Sequence, residues 1–581
     1  MTTTTTVDPA GLRTAGLLSR ENTIAKPGFN RWLVPPAALA IHLCIGMAYG
    51  FSVFWLPLGR AVAAATGAAK PIACAGDPST FIGKLSITGT ALFSTTCDWT
   101  LFDLGWMFTL FFVILGVSAA MWGGWLEREG PRKAGVVAAC CWSGGLLLGA
   151  LGVYIHQLWL MWLGAGVIGG IGLGLGYISP VSTLIKWFPD RRGMATGMAI
   201  MGFGGGALIG TPLANKLIAG GNLIEWPIAF GVPGFKSATT VGVWETLVVL
   251  AVLYFVAMMA GAFGYRVPPE GWVPEGYTPP APNANTMITS GNVHLKDAHK
   301  TPQFWLIWII LCMNVSAGIG VIGAASQMLQ ETFGGQLIGD PTVIFEKFNA
   351  AQAAKAAAIG GAFVGLFSLF NIVGRFFWAS MSDLLGRKGT YFVFFILGII
   401  CYGALTTLSG IGLLGVFAAS FCLIASMYGG GFATVPAYLA DMFGTLFVGA
   451  IHGRLLTAWS TAGILGPVVV NYMHDNYKAG GTPAAHFYDT IFYVLVGMLA
   501  IGLVANMLVR PVASKWLMST DDVAKALADR HAATVFAEKG SYGIDRGNIF
   551  RPVALIAWIL VAIPLGWGAW QTLLNTFKLF S

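Results

Sequence analysis

The chain has 581 residues, of which 56% are hydrophobic and only 10% charged, and its mean hydropathy is +0.71. That balance excludes a soluble enzyme or binding module, because a water-borne fold of this size has too little interior to hide so much apolar surface. The net charge of +8 is no sign of nucleic acid either, since the basic residues lie scattered in short segments between apolar runs.

In chain order, residues 1–31 are Thr-rich and then mixed, and are expected to form a disordered cytoplasmic tail. Apolar stretches long enough to cross about 30 Å of hydrocarbon as helices follow near 32–57, 104–125, 134–153, 157–185, 194–214, 242–264, 303–327, 358–381, 389–408, 410–440, 447–470 and 487–509. The outer insertion 60–103 holds Cys74 and Cys97, which either pair in an oxidising compartment or stand as two thiols. The other six cysteines lie in apolar spans and read as packing residues. A polar segment begins at 511, where Thr520 is expected to cap a helix with Asp521 and Asp522 in its first turn. A thirteenth apolar stretch runs near 552–574. With the N-terminus inside, 23 of the 33 Lys and Arg fall on or near the cytoplasmic side, nine outside and one, Arg375, deep inside a span. This asymmetry supports that orientation, in the inner (plasma) membrane, with the C-terminus in the periplasm. The fold class is an all-α membrane protein.

A shift of 256 residues superposes the punctuation of two halves. Glu127 and Gly130 of "GGWLEREGPRKAG" fall on Asp383 and Gly386 of "SMSDLLGRKG", and Gly174 and Pro180 fall on Gly430 and Pro436. Gly193, Gly197, Gly210 and Asn215 fall on Gly449, Gly453, Gly466 and Asn471. One offset held this long marks an internal repeat. The chain is therefore divided into six-helix halves at 32–265 and 302–510, joined by a central cytoplasmic loop, 266–301, and followed by 511–581. Parallel halves of this kind hold a substrate site between them near the midplane.

The repeat, with the loops "WLEREGPRK" and "SDLLGRKG", resembles the major facilitator superfamily. Within it, "KWFPDRRGMATGMAIMGFGGGALIG", "VPPEGWVPEGY" and "HGRLLTAWSTAGILGP" resemble the oxalate/formate antiporter family. The resemblance covers residues 32–510 and leaves out the insertion 60–103 and everything after 510. It implies a transporter that works by alternating access.

Arg375 lies in "FNIVGRFFWASMSDLLGRKG", eight residues, or about 12 Å of helix, from Asp383. A cation near the midplane needs a partner or a watery cavity. Its counterpart under the repeat is Ala119, so the arginine is no part of the shared scaffold. No Asp or Glu in the expected spans stands out as its counter-ion, and the alternative is a side chain that snorkels to the membrane edge. A guanidinium fork suits a carboxylate, and the resemblance implies that an arginine in this "NIVGR" setting binds one. The family's oxalate exchanger carries a lysine on its eleventh helix; here Trp459 stands at or near that place. One deep cation favours a monocarboxylate such as formate, lactate or pyruvate over oxalate.

Tyr49, Tyr177, Tyr428, Tyr438 and Trp459 are candidates to line the anion, or are packing aromatics. Asn371, one turn from Arg375, and Asn314 are placed to orient it or to bridge helices. His42, within the first span, is a candidate proton carrier or a packed histidine. Glu127, Arg128, Arg132 and Lys133, with Asp383, Arg387 and Lys388, are expected to form ion pairs between helix ends that gate the cycle. Gly202, Gly206 and Gly210 mark a helix-packing face. No metal or organic cofactor is implied, and the expected partners are small carboxylate anions and the lipid bilayer, with a monomer as the working unit. No zinc-protease motif or paired intramembrane carboxylate favours an enzyme. Two other readings stay open, a proton-coupled monocarboxylate symporter and a transporter-like anion sensor.

Overall fold

The computed structural model describes residues 16–26, 28–68, 70–77, 80–218, 242–269, 272–278, 287–289, 291–408, 413–479, 486–528 and 551–577. Thirteen helices of 12 residues or more run through them. The first six are α1 (Val34–Ile45, continued by a 3-10 stretch Gly46–Phe54), α2 (Leu101–Glu129), α3 (Pro131–Tyr154), α4 (Gly169–Trp187), α5 (Arg192–Ile218) and α6 (Val243–Gly264). The next six are α7 (Pro302–Ile338), α8 (Ala350–Leu385), α9 (Arg387–Leu408), α10 (Leu414–Phe443), α11 (Thr457–Ala479) and α12 (Asp489–Leu508). The last is α13 (Pro552–Phe577). Twelve candidate spans, which cover all of these helices except α11, are long and apolar enough to cross a membrane. In α11 the polar residues His474, Asp475, Asn476 and Lys478 dilute the run, yet it packs between α2 and α7.

Local chemistry sets where the helices start and turn. Thr100 and Asp103 form a reciprocal capping box at the start of α2, and Asn349 and Gln352 do the same for α8. Gly130 (φ 90°) ends α2, Gly386 (φ 75°) ends α8, and both turn straight into the next helix. A Cβ at Gly206 would run into the backbone of Gly46, so α5 and α1 meet backbone to backbone. Gly202 and Gly210 face Leu39, His42 and Met47 on the same side, as their spacing predicts.

Helices α1–α6 and α7–α12 form two six-helix halves, which meet where α5 packs on α8 and where α2 packs on α11. The short helix Val448–Leu455, which precedes α11, also lies on α2. The single span expected over 447–470 is thus two helices with a break at Leu456. Helix α13 lies outside both halves and touches α1, α5 and α8.

The loops α2–α3, α4–α5, α8–α9 and α10–α11 share one side of the bundle with the linker after α6, hereafter the basic face. Part of the expected disordered tail is ordered there. Ala25 donates to the Val267 carbonyl, Val267 donates back to Thr23, and Arg31 pairs with Asp190 at 3.0 Å. Residues 1–15 lie outside the described residues. The linker continues along the second half, where Val293 donates to the Phe443 carbonyl and Arg454 donates to the Leu295 carbonyl at 2.6 Å. In the polar segment the cap is Ser519, not Thr520: its Oγ accepts from Asp522 N at 3.1 Å, and the helix Thr520–Ala528 follows.

On the opposite side, Cys74 and Cys97 form a disulfide with Cα atoms 5.0 Å apart. The next residue, Asp98, accepts from the backbone N–H groups of Val62, Ala63 and Ile72, and Trp99 stacks on His156 at 4.5 Å. The insertion is thereby tied to itself and to the end of α3. Cys44, Cys312, Cys401 and Cys422 are buried, whereas Cys140 points out of the bundle.

Candidate substrate site

Arg375 is fully buried at the seam between the halves. Its Nε donates to Asn371 Oδ1 at 2.9 Å, one turn earlier on α8, and its Nη1 crosses to the Ile200 carbonyl on α5 at 3.2 Å. Its Nη2 is buried without a hydrogen-bond partner, and among the described residues no carboxylate pairs with the guanidinium. Glycines make room for the long side chain. A Cβ at Gly204 would stand 2.9 Å from Arg375 Nε, and one at Gly429 would stand 2.9 Å from its Cγ.

Aromatic rings enclose the charge. The guanidinium carbon lies 6.0 Å from the Tyr49 ring, 5.9 Å from Phe203 and 5.7 Å from Phe432, at the outer range of cation–π attraction. Tyr49 and Tyr428 share a hydrogen bond of 3.0 Å between hydroxyls, joining α10 to the 3-10 end of α1. Trp459 packs on Phe432 at 4.3 Å, Phe112 at 5.0 Å, Tyr177 at 5.3 Å and Phe203 at 5.4 Å. The six residues picked from the sequence, Arg375, Asn371, Tyr49, Tyr177, Tyr428 and Trp459, thus converge on one layer. Tyr438 and Asn314 stand apart from it: the Tyr438 ring lies 6.1 Å from that of Tyr391, tilted by 31°, and Asn314 lies against Gly431.

Several polar groups in this layer are also buried and unpartnered: Tyr177 Oη, Trp459 Nε1 and both ring nitrogens of His452. Buried polar groups are normally satisfied; here these atoms lie in the same layer as the open guanidinium edge. His42 stacks on Tyr177 at 5.2 Å. Its Nδ1 lies 2.5 Å from the Ala199 carbonyl and its Nε2 3.1 Å from the Tyr177 carbonyl.

Toward the basic face, charged groups bolt the halves together. Arg192 of α5 pairs with Asp441 of α10 at 2.9 Å, and Asp441 also takes Arg387 Nε at 2.9 Å. Asp383 pairs with Arg387 and accepts from Gly193 N and Met194 N at the start of α5, where the helix dipole favours an anion. Arg387 also donates to Ser382 Oγ. Glu127 pairs with Lys186 at 2.7 Å and accepts from Ser182 and from Gly449 N in the other half.

Three of the expected ion-pairing residues, Arg132, Lys388 and Arg128, do other things. Arg132 donates to the carbonyls of Leu17 and Tyr265, pinning the ordered tail. Lys388 caps α12 through the carbonyls of Met507 and Val509. Lys133 does pair between helix ends, with Glu129 at the end of α2 at 2.6 Å. Arg128 is exposed and makes no ion pair among the described residues. Basic residues near a helix end often reach the loose carbonyls there instead of an acid.

Sequence reasoning missed Asp441, Arg192, Lys186, Phe203, Phe432 and His452. Phe203 had a usable signal, since the 256-residue shift carries it onto Trp459. It also missed a buried carboxylate remote from the ring: Glu331 lies 3.1 Å from His474 Nε2 and accepts from Tyr488 Oη at 2.5 Å. Both Glu331 and His474 lie beyond the apolar runs, because α7 and α11 extend past them.

Two helical halves around a seam-buried cation define a membrane transporter rather than an enzyme. The chain belongs to the Major Facilitator Superfamily, whose model matches residues 78–364 and 315–581. It is 24% identical to the oxalate:formate antiporter of Oxalobacter formigenes over 359 residues, 62% of this chain and 73% of that one. It is 23% identical to apicoplast pyruvate carrier 1 of Toxoplasma gondii over 467 residues, 71% of this chain and 78% of the carrier. A shorter match, 27% over 116 residues, falls on mouse monocarboxylate transporter 11, covering 20% and 25% of the two chains. Among solved structures, an outward-facing bacterial homologue of the iron transporter ferroportin aligns with a TM-score of 0.50 at 12% identity, covering 82% of this chain and 98% of its own. That likeness concerns the fold alone.

Proposed function

We propose that this chain carries small monocarboxylates, with pyruvate, lactate and formate as the favoured cargo, by alternating access between its two halves. The observation that carries this reading is Arg375, a fully buried guanidinium with one open edge and, among the described residues, no acid to pair with it. A carboxylate is the ligand that such a fork fits best, and unpaired charge at membrane depth is costly to keep for packing alone. Two relatives, a pyruvate carrier and an oxalate:formate antiporter, are named for small carboxylates, which supports this substrate class.

In this reading Asn371 aims the guanidinium, Tyr49 and Tyr428 close over the anion, and Tyr177 and Trp459 hold the far end of the cargo. Glu127, Asp383, Arg387, Asp441 and Arg192 form the lock of the cytoplasmic face, which is the basic face described above. The moving bodies are 32–265 and 302–510, the membrane is the inner (plasma) membrane, and the C-terminus lies in the periplasm. Arg375 is the one permanently charged cation of this layer among the described residues, and the aromatic ring at Trp459 offers the second carboxylate of oxalate no charged partner.

The test is uptake of labelled formate, lactate, pyruvate and oxalate into proteoliposomes, each preloaded in turn. Uptake of monocarboxylates that is abolished in Arg375→Gln supports the assignment. Preference for oxalate would refute the one-cation argument. Undiminished transport in Arg375→Gln would make the arginine a packing residue, and binding of anions without any counterflow would favour a sensor.

A further inference from the structure

We infer that His42 is the coupling-proton site: its imidazole takes up one proton with each carboxylate bound at Arg375 and gives it up when the anion leaves. This rests on the carboxylate reading above and adds the ion that moves with the cargo.

The geometry starts from an imbalance of donors and acceptors. Both ring nitrogens of His42 face carbonyl oxygens, Ala199 O at 2.5 Å and Tyr177 O at 3.1 Å. A carbonyl only accepts, and a neutral imidazole has one N–H. The neutral ring therefore satisfies one contact and leaves lone pair against lone pair at the other. Only the imidazolium donates to both. His42 is fully buried, away from bulk water.

The cation that this pocket would hold is next to the one that holds the anion. His42 grips the Ala199 carbonyl and Arg375 grips the Ile200 carbonyl, two consecutive groups of α5. Phe203, one turn on, touches both, with its ring 6.3 Å from the His42 ring and 5.9 Å from the Arg375 guanidinium carbon. Two cations so close in a dry site repel one another, and a carboxylate on Arg375 offsets that repulsion. Anion and proton thus favour each other's binding, and by linkage each holds the other to the same extent.

The titratable groups facing His42 leave the role to it. Tyr177 of α4 stacks on it, and His452 of the short helix Val448–Leu455 lies 5.9 Å from Tyr177. Arg375 comes from α8, while α5 presents the Ala199 carbonyl and Phe203. Among the described residues no carboxylate pairs with His42. The proton adds to the bare ring nitrogen and makes no bond to the anion. The loaded pair carries one positive and one negative charge, so the transport step moves no net charge.

The experiment uses the full-length carrier in proteoliposomes with labelled pyruvate. For one proton per anion, an acid-outside gradient drives accumulation of about tenfold per pH unit at zero potential. An imposed potential of 100 mV should leave it unchanged, whereas movement of the bare anion would shift accumulation about fiftyfold. His42→Gln should lose gradient-driven accumulation, and whatever counterflow against preloaded pyruvate remains should no longer vary with pH. Wild type that exchanges pyruvate but ignores the pH gradient overturns the inference and leaves the carboxylate reading standing. Gradient-driven accumulation that survives in His42→Gln moves the proton elsewhere and overturns it equally. Wild type that moves no carboxylate removes the underlying reading first. If His42→Gln does not fold, nitrogen-15 spectra of wild-type histidines decide the matter, since pyruvate must convert one buried ring from neutral to doubly protonated.

Discussion

At the scale of residues, the Arg375 guanidinium is held along two edges and open along the third. Lysine would keep the charge and lose the fork. Hydrogen bonds to charged groups are worth about 1.5–3 kcal/mol each, so Arg375→Lys should cut pyruvate uptake at least about tenfold. Its thermal unfolding should stay close to that of wild type. Asn371→Leu removes only the Nε partner, and its expected signature is a raised KM, roughly tenfold, with the maximal rate less affected; initial rates over a substrate series would show it. Arg375 was legible because it breaks the repeat, where its counterpart is Ala119. Phe432 and His452 were not legible. Aromatics make up 13% of the chain, and nothing in a helical run tells a ring that faces the seam from one that faces a neighbour. Their partners sit on other helices, at a distance along the chain that periodicity cannot reach.

At the scale of elements, the seam between α5 and α8 is polar at the basic face and aromatic in the middle. Asp441 is shared by Arg192 and Arg387, and all three are at least four-fifths buried. Removing one partner from a buried ion pair costs about 3–5 kcal/mol, here leaving two guanidinium groups facing one another. Asp441→Asn should therefore shift the carrier toward the state open on the basic face. A cysteine placed at Ser182, buried beside Glu127 and Gly449, would then react faster with an impermeant maleimide in inside-out vesicles. An unchanged labelling rate would mean that the lock does not rest on Asp441. The acids of the two repeated loops, Glu127 and Asp383, were readable from the 256-residue shift. Asp441 was not, since the shift places it on Ile185 and its ion pair has no counterpart in the first half.

At the scale of the whole molecule, the two halves and their spans were legible because hydropathy and positive charge follow directly from the bilayer. Ordered segments outside the bilayer, such as residues 16–31, were not, since they are held by backbone carbonyls and single side chains rather than by any periodic pattern. The insertion carries its own closure, a disulfide across 23 positions, for which chain-entropy reasoning gives about 3 kcal/mol. Replacing both Cys74 and Cys97 by serine should speed protease cleavage within 60–103 and leave the uptake rate unchanged. Helix α13 has a different relation to the body. Near one end, Trp558 Nε1 donates to the Trp32 carbonyl in the first half at 3.1 Å. Farther along, Gly568 lies on Leu208 of α5, and Thr572 lies against Gly365 of α8 in the second half. Fastened to both halves, α13 is a strut across their seam, and a strut of fixed length is expected to set a stop on how far they swing apart.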